Sequence, residues 1–376
     1  MVAVGAGAAV LASLMTVGAN KAFSSGGATG VPSATSSQAA PLISGGSKTA
    51  NWVAAAAAVE PSVVSVRVEA SDGSGDQGSG VILDTAGRVL TNNHVVATVG
   101  SGDSLSVALS DGRTFSASVV GTDPASDLAV LTLNDAPAGL KPATFADSSM
   151  VKVGDAVMAI GNPLGLSDTV TTGIVSALNR PVNTGPSEQQ PQSPSGSAQP
   201  QSEQVVTNAI QTDASINPGN SGGALVDSGG RVIGITSSIA SLSSSATTQA
   251  GSIGLGFAIP ANEAKDVAAQ LITTGTVKHA YLGVSLADGM AGVGGGAQRQ
   301  AAVIGAVTSG GPAANAGLQA DDAIIALNGQ FIDGADSLVA QIRALHPGTS
   351  VTLTIVRSGK QQNIPLTLAL RPADAG

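Results

Sequence analysis

The chain has 376 residues, of which 11% are charged and 2% aromatic, with 49 glycines, no cysteine and a formal net charge of -9. A chain this acidic lacks the basic surface that a nucleic-acid partner requires, and without cysteine it has no disulfides, thiol nucleophiles or thiolate-bound metal. Its three histidines, His94, His279 and His346, are too few and too scattered for a histidine-built metal site.

Residues 2–19, VAVGAGAAVLASLMTVGA, carry no charge over eighteen positions. That is the lower edge of a membrane-spanning helix, and the basic stretch that precedes a secretory signal is missing. Residues 1–21 are therefore expected to be a single membrane anchor or an uncleaved signal-like segment, with the remainder outside the cytoplasm; cleavage would make the chain secreted. Residues 22–51 are rich in Ser, Gly, Thr and Ala and read as a flexible tether.

From Val63 short β-like runs follow one another: VVSVRVEA, SGVILD, GRVLTNNHVV, LSVALSDGRTFSASVVGTD and DLAVLTL, divided by Asp-Gly, Ala-Gly and Asp-Pro. A second batch runs DAVMAIG, TVTTGIVSAL, VVTNAIQTDA, GALVDSGGRVIGITSSI and GLGFAIP. Two batches of about six strands predict paired barrels. Between Pro181 and Gln204 the chain is almost free of large apolar residues, so an insertion at about 182–204 is expected to be a disordered surface loop. SLSSSATTQAGS, after Ala240, reads as a second soft loop.

After Pro260 the period changes. Ala264, Val267, Ala268, Leu271 and Ile272 share one helical face, with Asn262 as the expected cap and Gly275 as the stop. A separate unit of about ninety residues follows, with strand-like YLGVSL, AAVIGAV, DAIIALNGQFI, SVTLTIV and NIPLTLAL around a helix-periodic ADSLVAQIRAL.

The chemistry centres on DASINPGNSGGALV, where Ser221 stands among Gly219, Gly222 and Gly223. Such a glycine cluster is either a plain hairpin turn or a serine held up for attack beside free backbone amides. A serine nucleophile needs a base, and the base needs a carboxylate to fix its tautomer. His279 and His346 read as surface histidines, whereas His94 ends a strand in VLTNNHVV between polar and apolar neighbours. Asp127 opens an apolar strand, where a desolvated carboxylate needs a hydrogen-bonded partner. Asp123, before Pro124, reads as a turn residue, and Asp135 and Asp155 stand in weaker contexts.

TNNHVV, DPASDLAVL, GNPLG, TTGIVSALNR, DASINPGNSGGALV and GFAIP, in that order, resemble the HtrA/Deg family of chymotrypsin-fold serine proteases from about Val63 to Leu271. YLGV and GPAANAGLQADDAIIALNG extend the resemblance into a PDZ domain. It implies a mainly β chain: a two-barrel, chymotrypsin-like protease domain at 52–274 followed by an α+β PDZ domain at 278–372. His94 would be the base, Asp127 its orienter and Ser221 the nucleophile. Gly219, Asn220 and Ser221 would form the oxyanion hole, Asn220 more as spectator than donor.

By the same resemblance Ile216, Ile239 and Ala240 line the substrate pocket, and these aliphatic walls suit a small side chain such as Val or Ala. The amides of Leu282, Gly283 and Val284 would hold the carboxylate of a C-terminal peptide, although the glycine-rich DGMAGVGGGAQ is expected to leave that groove loose. The implied activity is ATP-independent endoproteolysis of unfolded or misfolded proteins, regulated by peptide at the PDZ domain, in a homotrimer and without cofactor or metal. A chaperone or peptide-binding scaffold with latent proteolysis is the alternative; the complete set of His94, Asp127 and Ser221 favours the enzyme.

Overall fold

Alternating apolar residues close two six-stranded antiparallel barrels in the computed structural model, which describes residues 50–71, 73–162, 169–183, 206–237 and 254–372. The first contains β1 (Val63–Glu69), β2 (Gly75–Ile82), β3 (Arg88–Asn92), β4 (Ser104–Ala108), β5 (Thr114–Asp123) and β6 (Leu128–Leu133), in the order β1-β2-β3-β6-β5-β4. The second contains β7 (Ala156–Gly161), β8 (Thr169–Asn183), β9 (Val206–Thr212), β10 (Ala224–Asp227), β11 (Val232–Ser237) and β12 (Gly256–Pro260), in the order β10-β11-β12-β9-β8-β7.

Strand side chains alternate between faces, and here both faces are apolar for a reason. In β6, Ala129, Leu131 and Leu133 fill the first barrel. Leu128 and Val130, on the other face, join Met158, Ile160, Ala224 and Val226 of the second barrel in a shared core. The two barrels are thus fused along the seam where a catalytic cleft can form. Val182 and Asn183, expected in the loop, belong to β8: Pro181 pairs with Asn208, Val182 with Thr207 and Asn183 with Val206. Residues 184–205 lie outside the described residues, as do residues 1–49, which include the expected anchor and most of the expected tether, and SLSSSATTQAGS.

A helix that the pattern reading passed over, α1 (Trp52–Val59), precedes the first barrel. The Asn51 side chain caps it by accepting from the Ala54 N–H (3.1 Å), and Ala55 and Val59 are buried in the shared core. A short helix, α2 (Asn93–Val96), follows β3. The predicted helix after Pro260 is α3 (Ala261–Thr274). Ala264, Val267, Ala268 and Leu271 pack into the shared core, and Gly275 ends the helix at φ 73°, with its N–H on Leu271 O. Asn262 is not its cap: it lies inside the first turn and donates instead to Asp147 (2.7 Å).

The C-terminal unit contains β13 (Ala280–Tyr281), β14 (Val284–Gly294), β15 (Ala297–Val307), α4 (Pro312–Asn315), β16 (Ala323–Leu327), β17 (Gln330–Phe331), α5 (Ala335–Arg343), β18 (Ser350–Arg357), β19 (Lys360–Thr367) and β20 (Ala369–Leu370). Its main sheet runs β14-β15-β16-β18-β19, so β14 is an edge, and β13 pairs with β20. The glycine-rich stretch expected to be loose forms a hairpin, with a register shift between Gly292 and Gly294. Gly294, Gly295 and Gly296 make its turn at φ 94°, 60° and 80°, the left-handed region that glycine enters without cost to a Cβ. On its flanks Met290 pairs with Gln300, and Ala291 is buried. Helix α5 lies against β8 and β9 of the second barrel as well as against its own sheet.

Candidate active site

Strand β3 delivers His94 to the cleft, but the strand stops at Asn92 and His94 sits in α2. Asp127 is the last residue of the loop joining β5 to β6, whose flanking residues Asp123 and Leu128 pair directly. It adopts φ 55°, unusual for a residue with a side chain, and is 2% exposed. A carboxylate so far from water must be satisfied by donors, and His94 supplies two of them. Its backbone N–H lies 3.0 Å from Asp127 Oδ1, and its Nδ1–H donates to Oδ2 at 2.9 Å. The backbone on each side is tied as well: Asn93 N–H and the Asn92 amide both donate to Asp127 O, at 3.0 and 2.9 Å. With Nδ1 committed to the acid, Nε2 is the ring nitrogen left to accept a proton.

The Ser221 turn belongs to the second barrel, between β9 and β10. Gly219 and Gly222 have φ 95° and 84°. A Cβ on Gly222 would stand 2.1 Å from Ser79 O and 2.4 Å from Thr91 Oγ1, and one on Gly223 would stand 2.4 Å from Ile160 O. These glycines therefore let the turn touch the first barrel on one side and its own barrel on the other. Inside the turn Asn220 N–H bonds to Asn217 O (3.0 Å) and Gly223 N–H to Asn220 O (2.9 Å), while the Thr236 hydroxyl donates to Asn220 O (2.6 Å). Asn220, expected as a member of the oxyanion hole, thus spends its N–H on shaping the turn. The Gly219 N–H makes no hydrogen bond to another described residue.

Ser79 is the clamp that sequence reading missed. It is fully buried in β2; its N–H donates to Ser221 O and its hydroxyl to Gly219 O, both at 2.7 Å. The same hydroxyl accepts from Asn162 N–H (2.9 Å), and Thr91 holds the Ser79 carbonyl (2.7 Å). The signal lay in the Gly-Ser-Gly framing of residues 78–80: a Cβ on Gly78 would lie 2.7 Å from Val95, the neighbour of His94, and 3.0 Å from Ser221 O. One glycine therefore separates the histidine's helix from the serine's turn.

The chain is similar to known proteins. Residues 78–235 match the trypsin-like peptidase domain family and residues 280–368 the PDZ domain family. A serine protease of Mycobacterium tuberculosis, PepD, is 44% identical over 321 residues, covering 83% of this chain and 65% of its own length. The periplasmic serine endoprotease DegP of Escherichia coli K12 is 42% identical over 301 residues, with 77% and 56% covered. The solved structure of the HtrA-type protease AlgW with a tripeptide superposes with a TM-score of 0.59 at 33% identity, covering 86% of this chain and 99% of that one. The chain belongs to the HtrA family of serine proteases. It spans less than two thirds of the length of the curated HtrA relatives PepD and DegP.

Of the pocket residues expected for an HtrA chain, Ile216 is described and 6% exposed, facing Gly256, where a Cβ would stand 2.9 Å from Ile216 Cδ1. Ile239 and Ala240 lie outside the described residues. In the PDZ loop, Leu282 O accepts from Ala313 N–H (3.0 Å) and Gly283 O from Thr308 N–H (2.9 Å). A trans peptide sets its N–H opposite its carbonyl, so the amides of Gly283 and Val284 face away from these contacts, beside the open edge of β14. His279, expected at the surface, is instead largely buried against Asp123. No cluster of metal-ligating side chains occurs among the described residues.

Proposed function

We propose that this HtrA chain is an ATP-independent serine endopeptidase that cuts unfolded or misfolded proteins outside the cytoplasm. One observation carries the reading: the first barrel pairs the buried Asp127 with His94, and its Ser79 holds the glycine-framed Ser221 turn of the second barrel. In this reading Ser221 Oγ attacks the peptide carbonyl while His94 Nε2 takes the hydroxyl proton, and Asp127 supports the imidazolium that forms. The negative charge on the tetrahedral oxygen is met by the N–H groups of Gly219 and Ser221, each such donor being worth about 10²–10³ in turnover. His94 then returns the proton to the departing amine. Water repeats the sequence on the acyl-serine and frees the new carboxylate.

The aliphatic pocket wall at Ile216 favours small apolar side chains and leaves a substrate lysine or arginine without a counter-charge. The outward amides of Gly283 and Val284, beside an edge strand, suit the carboxylate of a peptide added to β14, in keeping with an HtrA relative solved with a tripeptide. An extracytoplasmic site of action agrees with the periplasmic relative and with the uncharged residues 2–19. Among the described residues no helix is long and apolar enough to cross a membrane.

The test is active-site labelling with a fluorophosphonate together with cleavage of unfolded casein. Wild type should label and cleave, and Ser221→Ala should do neither while keeping its melting temperature. Casein cleavage by purified Ser221→Ala at a rate near wild type would refute the assignment.

A further inference from the structure

Asp123 stands at the start of the loop that presents Asp127, and at 6% exposure its carboxylate is also buried. Each of its oxygens has a partner. The Ser126 hydroxyl donates to Oδ2 at 2.5 Å, closing the loop on itself, and His279 Nε2–H donates to Oδ1 at 2.9 Å. Asp127 N–H adds a longer bond across the same loop, to Pro124 O at 3.3 Å. His279 is remote in sequence and belongs to the linker that enters the PDZ domain.

That linker is fixed at both ends. Lys278 N–H donates to Gln270 Oε1 of α3 (3.0 Å), and His279 O accepts from Arg371 N–H (3.1 Å) as the chain enters β13. Strand β5 comes equally close to α3, since a Cβ on Gly121 would lie 2.8 Å from Gly275 O. A cavity of about 20 Å³ adjoins the His279–Asp123 contact, between Ser126, Glu263 and His279 on one side and Arg343, Leu345 and His346 at the end of the PDZ helix on the other. The loop behind the catalytic acid is thus held by a side chain that the PDZ segment places.

We propose that His279, acting through Asp123, is a positioning residue for the reaction: it holds the Pro124–Asp127 loop in the geometry that His94 requires, making the PDZ linker part of the active-site scaffold. A loop with Asp127 at a left-handed φ has an inherent tendency to relax, and the Ser126–Asp123–His279 chain opposes it. Without the His279 donor, Asp123 Oδ1 would be buried and unpaired, and the loop would move to find water or another partner. Displacement of the acid falls on the chemical step, because substrate contacts on the second barrel are untouched.

The inference rests on Asp127 being the catalytic acid, and the experiment separates the two. In the full chain, His279→Ala should lower kcat roughly tenfold, with KM within about twofold, since small misplacements of reacting groups are costly in rate. Fluorophosphonate labelling should slow in parallel. His279→Gln, whose amide can still donate to Asp123, should recover most of kcat, whereas the shorter His279→Asn should not. Asp123→Asn should lower kcat as well, and the double variant His279→Ala/Asp123→Asn should be no worse than the poorer single one. Unchanged kcat in folded His279→Ala, equal kcat for the Gln and Asn variants, or additive losses in the double variant would each overturn the proposal. If His279→Ala does not fold, the Gln–Asn comparison decides alone. Ser221→Ala is run alongside, and cleavage surviving there would refute the triad, whatever the His279 variants do.

Discussion

Gly222 shows how little freedom the active-site turn has. Its φ of 84° suits glycine, and a β-carbon would meet the backbone oxygen of Ser79 at 2.1 Å. That oxygen cannot move away, because Ser79 is itself fixed by Ser221, Gly219, Asn162 and Thr91. Gly222→Ala is therefore expected to separate the two barrels at the cleft. A destabilisation of about 2–3 kcal/mol follows from a strained backbone together with overpacking, along with loss of fluorophosphonate labelling. Melting temperature and labelling measured on one preparation check both parts; wild-type values for both would show that the clamp tolerates a methyl group.

Among the elements, α3 joins the protease barrels to the linker, and its first turn contains an ionisable anomaly. Glu263 is half-buried as a residue, but its Oε2 is sealed from solvent and has no hydrogen-bond partner among the described residues. Burial, and then the neighbouring charges of Asp123 and Asp266, raise its carboxyl from the usual 4.5 to about 8. The folded chain thus keeps a proton near neutrality that the unfolded chain releases around pH 4.5. The stability this group contributes is complete below that pH and is lost as pH rises towards 8. Glu263→Gln, which cannot ionise, should flatten the fall in melting temperature between about pH 5 and 8. At pH 8 it should melt higher than wild type by at least roughly 2–4 °C, the equivalent of about 1 kcal/mol. Parallel melting curves across this range would show instead that the carboxyl ionises freely.

Two further expectations concern the whole molecule. Strands β8 and β9 already pair at Asn183 and Val206, so the chain ends flanking residues 184–205 are neighbours across a ladder. Partners in such a ladder lie about 5 Å apart, a gap that a short turn closes. Replacing 184–205 with a four-residue Gly-Ser turn should leave the melting temperature within about 2 °C, because lengthening or shortening a loop changes its closure entropy only slowly; a large drop would reveal an ordered element in that span. The other expectation is that peptides with a free, apolar C-terminus accelerate cleavage of a separate reporter, and that amidating the terminus removes most of the effect. The amide forfeits the charge-assisted bonds to Gly283 and Val284, and a ligand acts only through its preference for one state over another. Equal activation by the free and amidated peptides would mean that the carboxylate is not what the PDZ loop reads.

Most of the strands, both barrels and α3 with its glycine stop were legible in the linear pattern, and the choice of His94, Asp127 and Ser221 came from the family resemblance. Apolar alternation, glycine and proline punctuation and helical periodicity are local consequences of chain geometry, and the family motifs preserve them in order. Ser79, Asp123 and His279 were not legible, because each owes its role to a partner far along the chain: Ser79 to Gly219, His279 to Asp123 across 156 positions. A serine between glycines, an aspartate before proline and a histidine in a linker look ordinary until folding removes the water around them. Burial then obliges each polar atom to find a donor or acceptor within about 3 Å. Which atom answers that demand depended on how the two barrels and the PDZ unit pack, and only the tertiary structure settled it.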